Sequence, residues 1–350
     1  MNFAQASLRQ PRGMTLLELL VVIAILTMLM GFSAASYRRM SETHKAQGAA
    51  ANLEVVLRQA RNSAISANAP SFVEIDSKNR RFVPWVYQTV GVWHFESADT
   101  YGRSTGAHHE ATLRSARIHK DGKIGQCVRL DVSGAYVDLG ADPDFDCETG
   151  GYLEAYICLP SNSQFSLENY VFSKKNAYSL KISGGELIGN VGAKAARSRN
   201  YRISAGRWTK VALAWNLESI SVLVDDAIVG RDTGPIKTPL TEFPLLIGHE
   251  TASLPGLVDE ARVMAVFAGR ALDLLQTYSI RHTATPWSSI HFAADGSLDM
   301  HYHAGPLSIT LIQGGKERTV TISMLGTTTR KEVEAVPPED GEGEKGKGKG

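Results

Sequence analysis

Several groups of side chains in this 350-residue sequence have the types and spacing to do chemistry. The tight acidic pairs are Asp225-Asp226 and Asp259-Glu260, and glycoside hydrolysis needs two carboxyl groups held across one sugar bond. Neighbouring side chains in a strand point to opposite faces, so neither pair could offer both carboxylates to the same bond. Asp259 and Glu260 are expected instead to anchor a turn through hydrogen bonds to backbone. Asp142, Asp144 and Asp146 alternate in a loop around Pro143. They are the candidate calcium ligands, although the glycine and terminal glutamate of a calcium loop are missing and a solvated acidic turn is the default. His108-His109 and the trio His291, His301 and His303 offer imidazoles to a transition metal, but scattered histidines usually go unliganded. With no phosphate-binding glycine loop and no Ser/His/Asp or Cys/His signature, no catalytic residue is assigned and the chain is read as non-enzymatic.

One more carboxylate stands out by its setting. Arg12-Gly13 closes a polar stretch, Met14-Thr15-Leu16-Leu17-Glu18 follows, and residues 19–32 are apolar apart from Thr27 and Gly31. A helix over residues 14–31 would rise roughly 27 Å, close to a hydrocarbon core of about 30 Å. Arg9 and Arg12 before it favour an amino end in the cytoplasm, while Arg38, Arg39 and Lys45 oppose that orientation. Ala34-Ala35-Ser36 could serve an ordinary signal peptidase. Glu18 argues otherwise, because a carboxylate at the start of an apolar helix is costly unless something pairs with it.

Gly13, the Met14-to-Glu18 run and the apolar helix together resemble the cleavage and methylation signature of type IV pilins and type II secretion pseudopilins. The resemblance implies that a prepilin peptidase cuts after Gly13, that the new Met14 amine is methylated, and that Glu18 becomes the fifth mature residue. Met14 stands where the family most often has Phe. In a packed filament the Glu18 carboxylate would face the amino group of a neighbouring Met14, so assembly would rest on these two residues. The partners implied are the peptidase, other pilins or pseudopilins and the bacterial inner membrane, with a single-pass anchor and a head in the periplasm or on a surface filament.

The elements that follow have to position the head. Residues 41–68 lack proline and place Leu53, Leu57, Ala60 and Ala64 on one helical face, so the membrane helix is expected to continue until Ala69-Pro70 ends it. Strands are expected over residues 71–76 and 81–87, and a second hairpin over 307–313 and 318–324 around Gly314-Gly315. Residues 290–298, including Asp295-Gly296-Ser297, resemble with that hairpin the carboxyl-terminal sheet of general secretion pathway protein H and FimT-like minor pseudopilins. Ala294 stands in place of the usual proline.

Between these halves, short strand-like runs punctuated by Gly, Asp, Asn and Pro read as a β-sandwich. Gly91-Val92-Trp93, Tyr136-Val137-Asp138, the run from Trp208 to Trp215 and Leu257-Val258-Asp259-Glu260 resemble, in order, a laminin-G-like, concanavalin A-like jelly roll. The expected fold is thus α+β, a long membrane-spanning helix with a small antiparallel pilin sheet interrupted by an all-β jelly roll. Its expected parts are a leader at 1–13, a membrane helix at 14–36, its continuation at 37–69, a head from 70–89 and 286–330, the jelly roll at 90–285 and a disordered tail at 331–350.

Composition fits this reading and narrows the partners. At 43% hydrophobic and 21% charged residues the chain can bury a sizeable core, and a formal net charge of +1 gives no general pull toward nucleic acid. Cys127, Cys147 and Cys158 are too few for a disulfide scaffold and form no Cys-x-x-Cys pair. The expected function is a minor pilin-like subunit displaying a module that binds a glycan or a secreted protein. The alternatives are a membrane-tethered lectin that never assembles and, last, a glycan-active enzyme.

Overall fold

The computed structural model describes residues 16–96, 109–132, 134–161, 168–282, 289–313 and 316–333. Gly13, Met14, the side chain of Glu18, His108, the Gly314-Gly315 turn and the tail 334–350 lie outside the described residues.

One helix, α1, runs without interruption over Leu16–Ala67. Its carboxyl end is closed by Asn68, which takes the left-handed conformation at φ 50°. Asn68 N–H bonds to Ile65 O at 3.3 Å and Ala69 N–H to Ala64 O at 3.1 Å, the paired cap that satisfies the last carbonyls, and Pro70 then forbids another turn. Large apolar side chains between Leu19 and Met30 are exposed. Among the described residues no helix is long and apolar enough to cross a membrane; the expected span of residues 14–36 extends past the described side chains at both ends.

The second half of α1 is the organising element of a small head. Leu53, Leu57, Ala60 and Ala64 are fully buried, as their spacing required, and pack with Val73, Phe82, Ile290, Phe292, Ile309 and Val320 in one core. Burial of each leucine contributes about 1.5–3 kcal/mol. Ser71–Asp76 pairs antiparallel with Arg81–Trp93 on one side and Ser289–Phe292 on the other. A separate sheet runs in the order Ser279–His282, Leu307–Gln313, Lys316–Ile322, Thr328–Val333. Two glycine turns meet beneath the helix. Gly296, at φ 79°, and Gly326, at φ 73°, lie so close that a Cβ on Gly326 would overlap the Gly296 carbonyl, and Arg61 Nε donates to that same carbonyl at 3.0 Å.

The remaining strands form a sandwich of antiparallel sheets around a core that includes Trp93, Phe145, Phe172, Leu213 and Trp215. One sheet carries Ala227–Thr233, Ser219–Val224, Trp208–Asn216, Gly150–Cys158 and Leu257–Ala268; the other runs from Lys194–Arg197 to Thr112–Arg114 in seven strands.

Four expectations about boundaries need correction. Arg81–Trp93 is a single strand, whose residues 81–85 pair with the head strand Ser71–Asp76 and whose residues 85–93 pair with Leu257–Ala268 of the sandwich. The expected break at 89/90 therefore falls inside a strand, and head and sandwich share one sheet. Residues 272–282, assigned to the jelly roll, belong to the head: Leu272–Asp273 pairs with Arg81 and Phe82, Ser279–His282 pairs with Leu307–Gln313, and Leu274 and Tyr278 enter the head core. The last strand reaches Val333, into the segment expected to be tail, because it completes the edge of the four-stranded sheet. The second strand of the carboxyl-terminal hairpin is Lys316–Ile322, two residues earlier than expected.

Where α1 ends, it docks on the outer face of the sandwich. Ala67 and Ala69 pack with Tyr152, Ala212, Ala214, Leu223 and Met264, and a buried charge network lies beside them. Glu154 receives Arg262 Nη2 at 2.5 Å and Lys210 Nζ at 3.0 Å, and accepts the Tyr152 hydroxyl at 2.9 Å. Arg262 also donates to Ala67 O at 3.1 Å, and Asn68 Nδ2 to Asp226 Oδ1 at 2.6 Å, so the helix cap is tied to the network at two points. Burial works against the Lys210 charge, but Asp226 and Glu154 outweigh it and hold its pKa above the usual lysine value. Burial, with the adjacent Glu154 carboxylate, pushes the Tyr152 hydroxyl well above its ordinary range.

Candidate functional site

A groove of about 370 Å³ built from sequence-distant residues lies on the outer face of the seven-stranded sheet, lined in part by Tyr170, Ser179, Asn190, Phe243 and His249. Strand alternation puts Tyr170, Ser179 and Asn190 outward while Val171, Leu180 and Val191 enter the core. The Tyr170 ring stacks on His249 with centroids 4.6 Å apart, and Lys175 Nζ lies 4.6 Å from the Phe243 centroid. Asn190 Nδ2 donates to Ser179 Oγ at 3.2 Å. Flat rings beside amide and hydroxyl groups suit a ligand with apolar faces and a hydroxylated rim. Lys174 braces the groove from below: its buried ammonium donates to the carbonyls of Thr241 at 3.0 Å and Phe243 at 2.8 Å, and pairs with Asp146 at 3.2 Å. Nothing in the spacing of these residues marked them beforehand, because strand pairing alone brings them together.

Asp146 is thereby taken from the expected acidic trio. Asp142 caps the short turn Pro143–Asp146, its Oδ1 accepting the Asp144 N–H at 2.9 Å. The other Asp142 oxygen and an Asp144 oxygen face His109, at 3.7 Å from Nδ1 and 3.5 Å from Nε2. Calcium takes six to eight oxygens; two carboxylates and an imidazole, with the third aspartate paired to Lys174, do not offer that set.

The other histidines are not gathered around one point. His291 stacks on Tyr302 at 3.7 Å, and its Nε2 lies 3.1 Å from Glu218 Oε2 and 2.8 Å from Ser289 Oγ. His303 Nε2 accepts the His291 backbone N–H at 2.8 Å, so that nitrogen is unprotonated; burial, then the nearby His291, lowers the His303 pKa to about 4. His301 is 64% exposed, beside Asp299. His291 joins head to sandwich through Glu218, as Arg231 of the sandwich does by donating to Asp299 at 3.0 Å.

The acidic pairs are likewise structural. Asp225 and Asp226, at φ 45° and 68°, form the tight turn of a hairpin, where strand alternation does not apply. Asp259 and Glu260 form a bulge in Leu257–Ala268, at the point where one edge of that strand passes from Cys127–Arg129 to Arg81–Trp93. Asp259 is fully buried and accepts the N–H groups of Ile124 at 3.0 Å and Glu260 at 2.8 Å. Burial raises its pKa to about 6. The cysteines are all free; Cys127 and Cys147 are buried, and burial pushes both thiols up to about 12.

Comparison with known proteins adds one motif and a set of distant outlines. Residues 8–34, which include Gly13, Met14 and Glu18, match the family described as the prokaryotic N-terminal methylation motif. No curated protein matches the chain. Similar solved structures include domain 4 of AbnA, a GH43 extracellular arabinanase from Geobacillus stearothermophilus solved with arabinotriose, at 14% identity and TM-score 0.42, over 53% of this chain and 95% of that one. The receptor binding domain of botulinum neurotoxin mosaic serotype C/D is similar at 9% identity and TM-score 0.39, over 66% and 72%. The binding domain of Paraclostridial Mosquitocidal Protein 1 is similar at 12% identity and TM-score 0.40, over 66% and 70%. Likeness at these scores fixes neither ligand nor activity.

Proposed function

We propose that this chain is a minor pilin-like or pseudopilin-like subunit, processed by a prepilin peptidase after Gly13, anchored in the bacterial inner membrane by residues 14–36, and assembled through Met14 and Glu18. The observation that carries this reading is the methylation motif at residues 8–34 joined to one continuous helix, Leu16–Ala67, whose second half is the spine of the head. The described apolar side chains between Leu19 and Met30 are exposed on the protein, which suits a helix covered by lipid before assembly and by neighbouring helices after it. A mature protein that begins at methylated Met14 is the direct test.

The sandwich is the display module, and its groove is the glycan-binding face. A pyranose ring has an apolar face for Tyr170 and hydroxyls for Asn190 and Ser179. Among the described lining residues of the groove Glu250 is the one acid, whereas glycoside hydrolysis calls for two carboxyl groups, so binding is favoured over cleavage. Full-length protein in detergent should be retarded by a soluble polysaccharide in affinity electrophoresis, and Tyr170→Ala should weaken retardation about tenfold, the loss of ~1.4 kcal/mol from one stacking ring. Equal retardation of parent and variant by every polysaccharide that retards the parent would remove the groove from the reading; release of reducing ends would favour the enzyme.

A further inference from the structure

The His109 side chain is 8% exposed, its ring is packed against Phe145 with centroids 4.7 Å apart, and its buried Nε2 has no hydrogen-bond partner among the described residues. Leaving such an atom unpaired is costly, so its surroundings should contain what satisfies it. Nε2 faces Asp144 Oδ2 at 3.5 Å and Nδ1 faces Asp142 Oδ2 at 3.7 Å, both too far for good hydrogen bonds. One ring nitrogen and one oxygen from each of Asp142 and Asp144 lie within 4.8 Å of one another. Ligand atoms around a tetrahedral ion with bonds of about 2.1 Å stand roughly 3.4 Å apart, close to the Asp144 separation. We propose that His109, Asp142 and Asp144 bind a divalent first-row transition cation of the zinc type, with water completing the shell.

The residues around the trio are set for this. The Asp142 oxygen that accepts the Asp144 N–H is the one turned away from His109, which fixes the other oxygen toward it. Lys174 holds Asp146 out of the cluster, so the loop presents two carboxylates and not three. An imidazole with two carboxylates selects zinc, cobalt or nickel over calcium, which takes more oxygens and little nitrogen. The two carboxylates are 45% and 62% exposed, leaving a side open for water and for the ion's entry. Bound there, the ion would clamp the segment entering the seven-stranded sheet to the Pro143–Asp146 turn, next to Lys174 and the floor of the groove.

The test is titration of metal-free, full-length protein in detergent with zinc chloride, followed by calorimetry, and with cobalt chloride, followed by visible absorption. Asp144→Asn is the main variant because its side chain is largely solvent-exposed; His109→Gln is the second, used with a thermal-unfolding check. The expected result is one zinc site that both variants weaken at least about tenfold, a cobalt spectrum without a thiolate band, and no displacement of zinc by calcium in large excess. Zinc binding of the same affinity and stoichiometry in Asp144→Asn and parent would overturn the proposal. So would tighter binding of calcium than zinc, or no saturable zinc binding, in which case the trio is a histidine flanked by two carboxylates and nothing more.

Discussion

Glu154→Ala should destabilise the folded protein by about 3–5 kcal/mol, the usual result of removing one member of a buried ion pair while leaving its partners in place. Glu154 is almost wholly inside, and its carboxylate faces Arg262 at 2.5 Å and Lys210 at 3.0 Å. Without it, Lys210 keeps Asp226 and Arg262 keeps the Ala67 carbonyl, but neither of those supplies a second negative charge to a pocket holding two cations. The loss should show as a lower denaturant midpoint, and as faster amide exchange over residues 64–69, where the helix cap is tied to the same network. Glu154→Gln, which keeps the volume and one acceptor, should fall between parent and alanine. Replacing the pair together, Glu154→Leu with Arg262→Met, should recover much of the loss because the apolar pair leaves less charge uncompensated. A Glu154→Ala midpoint within experimental scatter of the parent's would mean that water reaches the network and that α1 is held to the sandwich by Ala67, Ala69 and Tyr152 alone.

Glu18→Ala should reduce incorporation into a filament or pseudopilus by about tenfold or more while leaving the protein in the membrane fraction. The physical reason is the asymmetry of charge burial. A methylated Met14 amine brought among packed helices without a carboxylate is an uncompensated cation, at a cost of several kcal/mol per subunit. A single protein in a bilayer escapes that cost by keeping its terminus at the headgroup level. Assembly should therefore respond and anchoring should not. Normal co-purification of the alanine variant with the other subunits would remove Glu18 from assembly; a parent protein that is anchored in the membrane but never co-purifies with them would favour the tethered lectin.

How far the sequence could be read depended on whether neighbours in space were also neighbours along the chain. The buried helical face of Leu53, Leu57, Ala60 and Ala64 follows from local periodicity, and so does the stop at Asn68 and Pro70. Short strands were visible, but their partners were not. Leu272–Asp273 and Ser279–His282 look like any other strand of the sandwich, and only pairing with Arg81–Trp93 and Leu307–Gln313 places them in the head. Gly150–Cys158 is buried almost throughout, with the end of α1 packed on Tyr152, so no alternation of exposed and buried positions singled out Glu154. The acidic loop was visible as a pattern, yet its partner His109 sits 33 residues before Asp142 along the chain, and the loss of Asp146 to Lys174 is a tertiary event.

The processing claim has the most direct test: mass spectrometry of the amino-terminal peptide from protein purified out of membranes of cells that carry a prepilin peptidase. A peptide beginning at Met14 and bearing one N-methyl group is expected, with a Gly13 substitution leaving the leader attached. A mature chain starting near Ser36, or an uncut chain starting at Met1 in the presence of active peptidase, would contradict it.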